Sequence, residues 1–176
     1  MTAWLLLLHR HDERALHAVV LRRRPVLDRA MHALTHLGDA AVTVPLALAM
    51  ALGLVPGVDA AAGRLAAFAL VASHLAVQLL KRRVARSRPR LPVGCASLVH
   101  APDRFSFPSG HAASSLSVAL AAAAALPGPL GACGVALACG VGLSRCYLGV
   151  HYPGDVMVGW LLAAAAVAAG PLAGVG

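Results

Sequence analysis

From Asp39 onwards the sequence is a series of apolar stretches separated by short polar or Pro/Gly-rich connections. An apolar stretch of roughly 17–25 residues crosses a bilayer as a helix. The apolar share of 59% and the charged share of 12% exclude a disordered chain and an ordinary soluble domain. The sequence therefore predicts an all-α integral-membrane helical bundle of five, or six, transmembrane helices, over about 39–55, 60–80, 111–126, 132–144 and 155–169.

Residues 1–34 differ from the rest of the chain because they mix Leu, Val, His and Arg without a long apolar run. They are too charged to cross a bilayer, but the apolar residues between the basic ones suggest an amphipathic segment on the membrane surface, with a plain solvated tail as the alternative. Pro25 is expected to break this segment. We divide the chain into a basic amphipathic segment, 1–34, and a membrane-embedded domain, 35–176.

The positive charge is concentrated beside the apolar stretches. The net charge is +8, with six arginines in 10–29 and one lysine and five arginines in 81–90. These clusters lack interleaved aromatic residues, so we expect no nucleic-acid partner. Anionic membrane lipids or a phosphorylated lipid fit better. The four cysteines have no CxxC spacing, which predicts neither a disulfide framework nor a zinc site.

The first motif is KRRVARSRP, at the end of the second apolar stretch. Lys81 and Arg88 are seven residues apart, so they share a helix face if the helix continues to Pro89. Two fixed cations at a membrane face suit a phosphate. The alternative is ordinary anchoring charge at the cytoplasmic face.

The second motif is PSGH, immediately before the third apolar stretch. Gly110 permits close approach to a ligand, Ser109 can cap the helix or donate to an oxygen, and helix N-terminal amides attract anions. His111 at this position can donate a proton to a leaving oxygen. The alternative is a simple helix cap with an interfacial histidine.

The third motif is SRCYLGVHYPGD. His151 and Asp155 are four residues apart, so the carboxylate can accept from one ring nitrogen and leave the other free to attack. Arg145 supplies a further cation for phosphate. The alternatives are a helix-start charge for Asp155 and a snorkelling anchor for Arg145.

Together these three motifs resemble the pattern of the type 2 phosphatidic acid phosphatase superfamily: Lys-x6-Arg-Pro, Pro-Ser-Gly-His and Ser-Arg-x5-His-x3-Asp. Every signature position is matched between residues 81 and 155. The resemblance implies that residues 35–176 form a membrane phosphatase domain that needs no metal or other cofactor. It also implies a multi-pass protein of the cell membrane whose partner is a lipid phosphate substrate.

The resemblance further implies a role for each site residue. His151 is the expected nucleophile, which forms a phosphohistidine; Asp155 orients it, and His111 protonates the leaving group. The expected ligands of the non-bridging phosphate oxygens are Lys81, Arg88, Ser109, Gly110 and Arg145.

Three rival interpretations are open. Cys139 and Arg145 show the Cys-x5-Arg spacing of cysteine-dependent phosphatases, but a thiol inside an apolar span is a poor nucleophile. Vanadium haloperoxidases resemble the same three-motif site, although they are soluble. A non-catalytic protein that binds anionic lipid explains the arginines but not the spacing of His111, His151 and Asp155.

The sequence leaves the lipid and the oligomeric state open. Candidate substrates are a polyprenyl phosphate or diphosphate, a polyprenyl-phosphoryl sugar phosphate, phosphatidylglycerophosphate and phosphatidate. With five crossings, the active site lies on the same side as the arginines of 10–29, and the positive-inside rule makes that side cytoplasmic. This orientation favours a lipid phosphate made on the inner leaflet, such as a phosphorylated polyprenyl-phosphoryl pentose or phosphatidylglycerophosphate.

Overall fold

The computed structural model describes the backbone of residues 3–101 and 103–175, and side chains from residue 9 onwards. The described chain is helical and has no strand beyond one isolated bridge between Ser87 and Phe105, which confirms the all-α prediction. Two short 3₁₀ turns, at His36–Gly38 and Pro171–Ala173, accompany the α-helices. The α-helices are α1 (Ala3–Val20), α2 (Pro25–Thr35), α3 (Ala40–Ala51), α4 (Ala60–Val84), α5 (Gly110–Ala125), α6 (Gly128–Tyr147) and α7 (Pro153–Ala169).

Helix α5 is the centre of the bundle, since it packs against α3, α4, α6 and α7. Small residues permit this close packing. At Gly63 in α4, an added Cβ would lie 2.1 Å from the backbone of Met50 in α3. At Gly159 in α7, it would lie 2.6 Å from the carbonyl oxygen of Ser109. These contacts hold α7 firmly against the start of α5, where two of the motifs meet.

Two helices, α4 and α6, are long and apolar enough to cross a membrane. A third candidate is the pair formed by Pro25–Gly38 and Ala40–Ala51, which bends by 48°. Helices α5 and α7 are apolar but shorter. The helices lie where the sequence predicts apolar spans, whereas the number of crossings, five or six, stays a prediction.

The N-terminal segment forms two helices that break before Pro25, as the sequence predicts. Leu16 and Val20 of α1 are buried against α5 and α7 residues such as Ala112 and Val156. The proposed boundary between residues 34 and 35 falls inside the last turn of α2. Helix α1 is therefore amphipathic and packed on the bundle, and it lies close to the polar end described below.

Lys81 and Arg88 do not share a helix face, because the helix does not continue to Pro89, which was the condition for it. Helix α4 ends at Val84, and Ala85 takes a left-handed conformation with φ of 48°. The chain then leaves the helix, and Arg88 reaches the same region from the loop 85–109. The two cations meet through tertiary structure and not through helical periodicity.

The polar stretches do converge at one end of the bundle, as the order of the apolar stretches predicts. The loop 85–109 contacts the turn after α6, where the amide of Leu98 donates to the carbonyl oxygen of Leu148 at 3.0 Å. The amide of Ser109 donates to the carbonyl oxygen of Asp155 at 2.9 Å. We call this end of the molecule, with residues 81–111 and 144–155, the polar end.

Candidate active site

His151 lies in the turn between α6 and α7, with 2% of its surface exposed. Its Nε2 is 2.9 Å from Nη1 of Arg88. A guanidinium group only donates hydrogen bonds, so Nε2 must accept and carries a lone pair. The ring proton therefore resides on Nδ1, which faces Oδ2 of Asp155 at 3.6 Å. This tautomer is the one that a nucleophilic Nε2 requires.

Asp155 is held in place at the start of α7 by two contacts besides His151. The side chain has no exposed surface. Its Oδ1 accepts from Nη1 of Arg86 at 2.7 Å, and its Oδ2 accepts from the amide of Tyr152 at 2.9 Å. The gap of 3.6 Å to His151 exceeds a hydrogen bond, although such bonds between catalytic groups often tighten when the substrate binds.

The electrostatic environment keeps His151 neutral. Burial lowers its pKa from 6.5 to about 4, and the charge of Arg88 acts in the same direction, against the nearby negative charge of Asp155. A histidine with this pKa is unprotonated at neutral pH. Nε2 is therefore available as a nucleophile without prior loss of a proton.

His111, in the first turn of α5, has its own carboxylate partner. Its Nε2 donates to Oδ1 of Asp39 at 2.7 Å, and Oδ2 of Asp39 lies 2.7 Å from Nδ1 of His36. Asp39 immediately precedes α3, but its side chain makes no capping hydrogen bond to that helix. Burial and the charge of Arg145 oppose protonation of this ring, whereas the Asp39 carboxylate favours the protonated form that a general acid needs.

Arg145 is almost fully buried near the end of α6, with 2% of its surface exposed. Its Nη1 donates to the hydroxyl of Thr35 at 2.7 Å, while its Nε has no hydrogen-bond partner among the described residues. Arg145 and His111 line one cavity of about 500 Å³, whose wall also holds His32, His36, Asp39 and His100. Arg145 thus presents a buried positive charge to a cavity lined largely by polar side chains.

Lys81 and Arg88 are bridged by Asp103. Lys81 donates to Oδ2 of Asp103, and Nη2 of Arg88 donates to Oδ1 at 3.0 Å. Despite partial burial, the hydrogen bond and charge of Lys81, with the charge of Arg88, lower the pKa of Asp103. Arg88 also lines a second cavity, of about 370 Å³, beside Val150. The two cations that sequence reasoning assigned to a phosphate thus hold a carboxylate in this structure.

Ser109 and Gly110 form the start of α5. The Ser109 hydroxyl accepts from the amide of Ala112 at 3.5 Å, so it caps the helix, and Ser109 is fully buried. Gly110 is the first residue of the helix. Amides in the first turn have no acceptor within the helix, which leaves them available to an anion.

The contacts bring all eight predicted site residues to the polar end. Three further charged residues there, Asp39, Arg86 and Asp103, were not assigned to the site from the sequence. Arg86 lies inside the first motif, two residues before Arg88, and that proximity was the only sequence signal for it. Asp39 and Asp103 gave no such signal, because each meets its partner only through the fold.

The cysteines and the other potential metal ligands give no indication of a second active site in the part of the chain that the structure describes. All four cysteines are free, and Cys139 packs beside Leu116 and Ala163 in the apolar core. Among the described residues, no group of three or more His, Cys, Asp or Glu side chains is placed to hold a metal ion.

Comparison with known proteins identifies relatives of the chain. The decaprenylphosphoryl-5-phosphoribose phosphatase of Mycobacterium tuberculosis is 47% identical over 96 residues, which cover 54% of this chain and 51% of that protein. The match thus spans about half the length of that relative. The protein of the same name from Mycolicibacterium smegmatis is 39% identical over 142 residues, covering 79% of this chain and 74% of the relative.

The fold also matches a solved structure. The transmembrane PAP2-type phosphatidylglycerolphosphate phosphatase of Bacillus subtilis has a TM-score of 0.71 and 31% identity, and the match covers 91% of this chain and 84% of the other. A model described as the PAP2 superfamily matches residues 62–173, more than half of the chain. The resemblance seen in the three motifs is confirmed, and the chain is a membrane protein that belongs to the PAP2 superfamily.

Proposed function

We propose that the protein is a membrane-embedded lipid phosphatase that hydrolyses a phosphomonoester or diphosphate through a phosphohistidine intermediate. The observation that carries this proposal is the state of His151. Its Nε2 accepts a hydrogen bond from Arg88, so the Nε2 lone pair is directed at a cation that can also bind a phosphate group. Burial and Arg88 keep the ring neutral.

The first step transfers the phosphoryl group to the protein. Nη1 of Arg88 moves from Nε2 of His151 to a phosphate oxygen, and the freed lone pair of Nε2 attacks phosphorus. A P–N bond forms while the bond from phosphorus to the leaving oxygen breaks. The leaving oxygen takes a proton from His111, whose protonated ring is stabilised by Asp39. The Nδ1 proton of His151 faces Asp155, which stabilises the positive charge that develops on the ring.

The second step releases phosphate. His111, now neutral, accepts a proton from a water molecule as the water oxygen attacks phosphorus. The P–N bond breaks, inorganic phosphate leaves, and His151 regains its lone pair on Nε2. Both histidines return to their starting protonation states, so the cycle consumes one water molecule and balances without a metal or other cofactor.

Cations surround the position that the phosphate would take. Arg145 offers its guanidinium group, which lines the cavity, and Lys81 and Arg88 offer the groups that bind Asp103. We infer that the substrate phosphate competes with the Asp103 carboxylate for these two cations. The Gly110 amide and the start of α5, capped by Ser109, complete the cradle. Fixed donors directed at developing charge are often the largest catalytic contribution.

Two lipid classes are the leading substrate candidates. The mycobacterial relatives are named for a decaprenylphosphoryl-5-phosphoribose, and the Bacillus subtilis structure for phosphatidylglycerolphosphate. The higher identities of the mycobacterial relatives favour a polyprenyl-phosphoryl pentose phosphate. The cavity beside His111 and Arg145, with a volume of about 500 Å³, is large enough for a small polar head group.

A panel of purified lipid phosphates tests the function. The panel contains a polyprenyl-phosphoryl pentose phosphate, phosphatidylglycerophosphate, phosphatidate and a polyprenyl diphosphate, with phosphate release as the readout and a His151→Ala variant as the inactive control. We expect the pentose phosphate to give the highest kcat/KM. Highest activity on phosphatidylglycerophosphate would support the second candidate, and no release from any lipid would refute the proposal.

We also propose that α3 to α7 cross the membrane and that α1 and α2 remain at the polar end. This is supported by contacts of both helices with that end: Asp12 of α1 with Gly154, and Asp28 of α2 with Tyr147. The first turn of α3 begins beside His111. With this topology the positive-inside rule places the active site at the cytoplasmic face.

Single cysteines replacing Arg10 and Ala101, both exposed, test the topology in a background without the four native thiols. Both are expected to resist an impermeant maleimide in intact cells and to react after permeabilisation. Labelling of both in intact cells would show that the orientation is the reverse of the one proposed. Labelling of only one would show that the N-terminal segment crosses the membrane.

A further inference from the structure

The start of α7 is held by a charged chain of contacts that reaches outside the three motifs. Arg86 donates through Nη1 to Oδ1 of Asp155 at 2.7 Å and through Nη2 to Oδ2 of Asp12 at 2.9 Å. Oδ1 of Asp12 accepts from the amide of Gly154 at 2.7 Å. Asp12 lies on α1, far from the other members in sequence. Asp12 of α1 thus contacts both Arg86, which binds the carboxylate of Asp155, and the start of α7, the helix that contains Asp155.

Burial and packing restrict the conformations of the side chains in this chain of contacts. The side chains of Asp12, Arg86 and Asp155 are 16%, 19% and 0% exposed. The guanidinium group of Arg86 lies over the ring of Tyr152, 4.0 Å from its centroid. At Gly154 an added Cβ would lie 2.7 Å from Oδ2 of Asp12, so a larger residue would displace this carboxylate. Each contact is short and shielded from solvent, as in an interaction that fixes orientation.

We propose that Arg86 and Asp12 are positioning residues for the catalytic pair His151 and Asp155, and that α1 is thereby part of the active site. This inference rests on the proposed function. Arg86 fixes the Asp155 carboxylate in the plane that faces the Nδ1 proton of His151. Asp12 fixes Arg86 and satisfies a free amide in the first turn of α7, the role that a helix cap has elsewhere.

The charges of these residues also affect protonation of the catalytic pair. The groups that face Asp155 are His151 from the turn, Arg86 from the loop 85–109 and, beyond Arg86, Asp12 and His9 from α1. The positive charge of Arg86 favours the ionised Asp155 carboxylate, whose negative charge stabilises the positive ring of His151 that forms in the first step. Without that charge, protons bind more readily to the pair, and the acid limb of the rate profile moves to higher pH.

Four variants test the proposal in the purified full-length protein: Asp12→Asn, Arg86→Gln, Arg86→Lys and the double variant Asp12→Asn/Arg86→Gln. Arg83→Gln and Glu13→Gln are matched controls, since each removes a nearby charge outside the chain of contacts. The substrate is the lipid phosphate that the wild type hydrolyses fastest. The readouts are kcat, KM, the pH profile of kcat and the yield of trapped phosphohistidine.

We expect Arg86→Gln to lower kcat by about 10- to 100-fold, as for the loss of one charged hydrogen bond, with KM changed by less than about threefold. Asp12→Asn is expected to lower kcat by about three- to tenfold, because it removes the charge but keeps an acceptor for the Gly154 amide. Arg86→Lys should recover part of the loss. The acid limb should move to higher pH in Arg86→Gln, and the controls should match the wild type.

The double variant separates positioning from a general loss of stability. If Asp12 acts through Arg86, adding Asp12→Asn to Arg86→Gln has little further effect on kcat. Fully additive losses, a change confined to KM, or an unmoved pH profile would overturn the proposal. If Arg86→Gln fails to fold, Asp12→Asn and Arg86→Lys give the same readouts. Inactive wild type would refute the proposed function, whereas active wild type beside fully active variants would refute only this inference.

Discussion

Replacing Asp39 by Asn should impair the departure of poor leaving groups. The carboxylate lies 2.7 Å from Nε2 of His111, and the neutral amide of the variant could no longer stabilise the protonated ring. A hydrogen bond to a charged group contributes about 1.5–3 kcal/mol, and Asp39 is 37% exposed, so the lower end applies. At about 1.36 kcal/mol per factor of ten, we expect kcat to fall by about tenfold. Asp39 makes no side-chain cap to α3, so no helix cap is lost.

The assay compares an alkyl phosphate with p-nitrophenyl phosphate. The nitrophenolate leaves without a proton, so we expect the loss with the alkyl substrate and little loss with p-nitrophenyl phosphate. His111→Ala should show the same pattern with a larger effect, and Asp39→Asn should add nothing to it. Equal losses on both substrates, or an additive loss in the double variant, would show that Asp39 does not act through His111.

Three more predictions concern the phosphate cradle and the pH dependence. Asp103→Asn should strengthen inhibition by vanadate, because the competing charge on Lys81 and Arg88 disappears; weaker inhibition would show that Asp103 organises the cradle instead. The kcat/KM profile should show no acid limb between neutral pH and about pH 6, since the pKa of His151 is about 4 and the nucleophile must be unprotonated; an acid limb above about pH 6 would contradict this. Chelators should leave activity intact, and loss that magnesium restores would refute a metal-independent mechanism.

The site residues that the sequence identified are those whose chemistry and spacing are local. His151 and Asp155 are one helical turn apart, and PSGH precedes an apolar helix, so their relation is visible without a fold. Likewise, the apolar stretches placed the helices of the bundle. The bounds shifted by a few residues: α4 continues to Val84, and α3 is shorter than its apolar stretch because the chain turns at Gly53.

The charged residues that contact the proposed catalytic groups could not be predicted from the sequence, because their partners are distant along the chain. Asp39 and His111 are separated by 72 residues, and Asp12 and Gly154 by 142. A carboxylate before an apolar stretch is an ordinary helix cap, so Asp39 gave no reason for another interpretation. The sequence also did not predict that α4 ends before Ala85, since alanine rarely takes the positive φ that ends the helix there.

Trapping the covalent intermediate tests the central claim most directly. Purified wild-type protein is mixed with a ³²P-labelled lipid phosphate and quenched within one turnover, beside His151→Ala and Cys139→Ser variants. We predict acid-labile, base-stable phosphate on the wild type and on Cys139→Ser, mapped to residue 151, and none on His151→Ala. Turnover by the wild type without any trapped phosphohistidine, together with an active His151→Ala variant, would contradict the account.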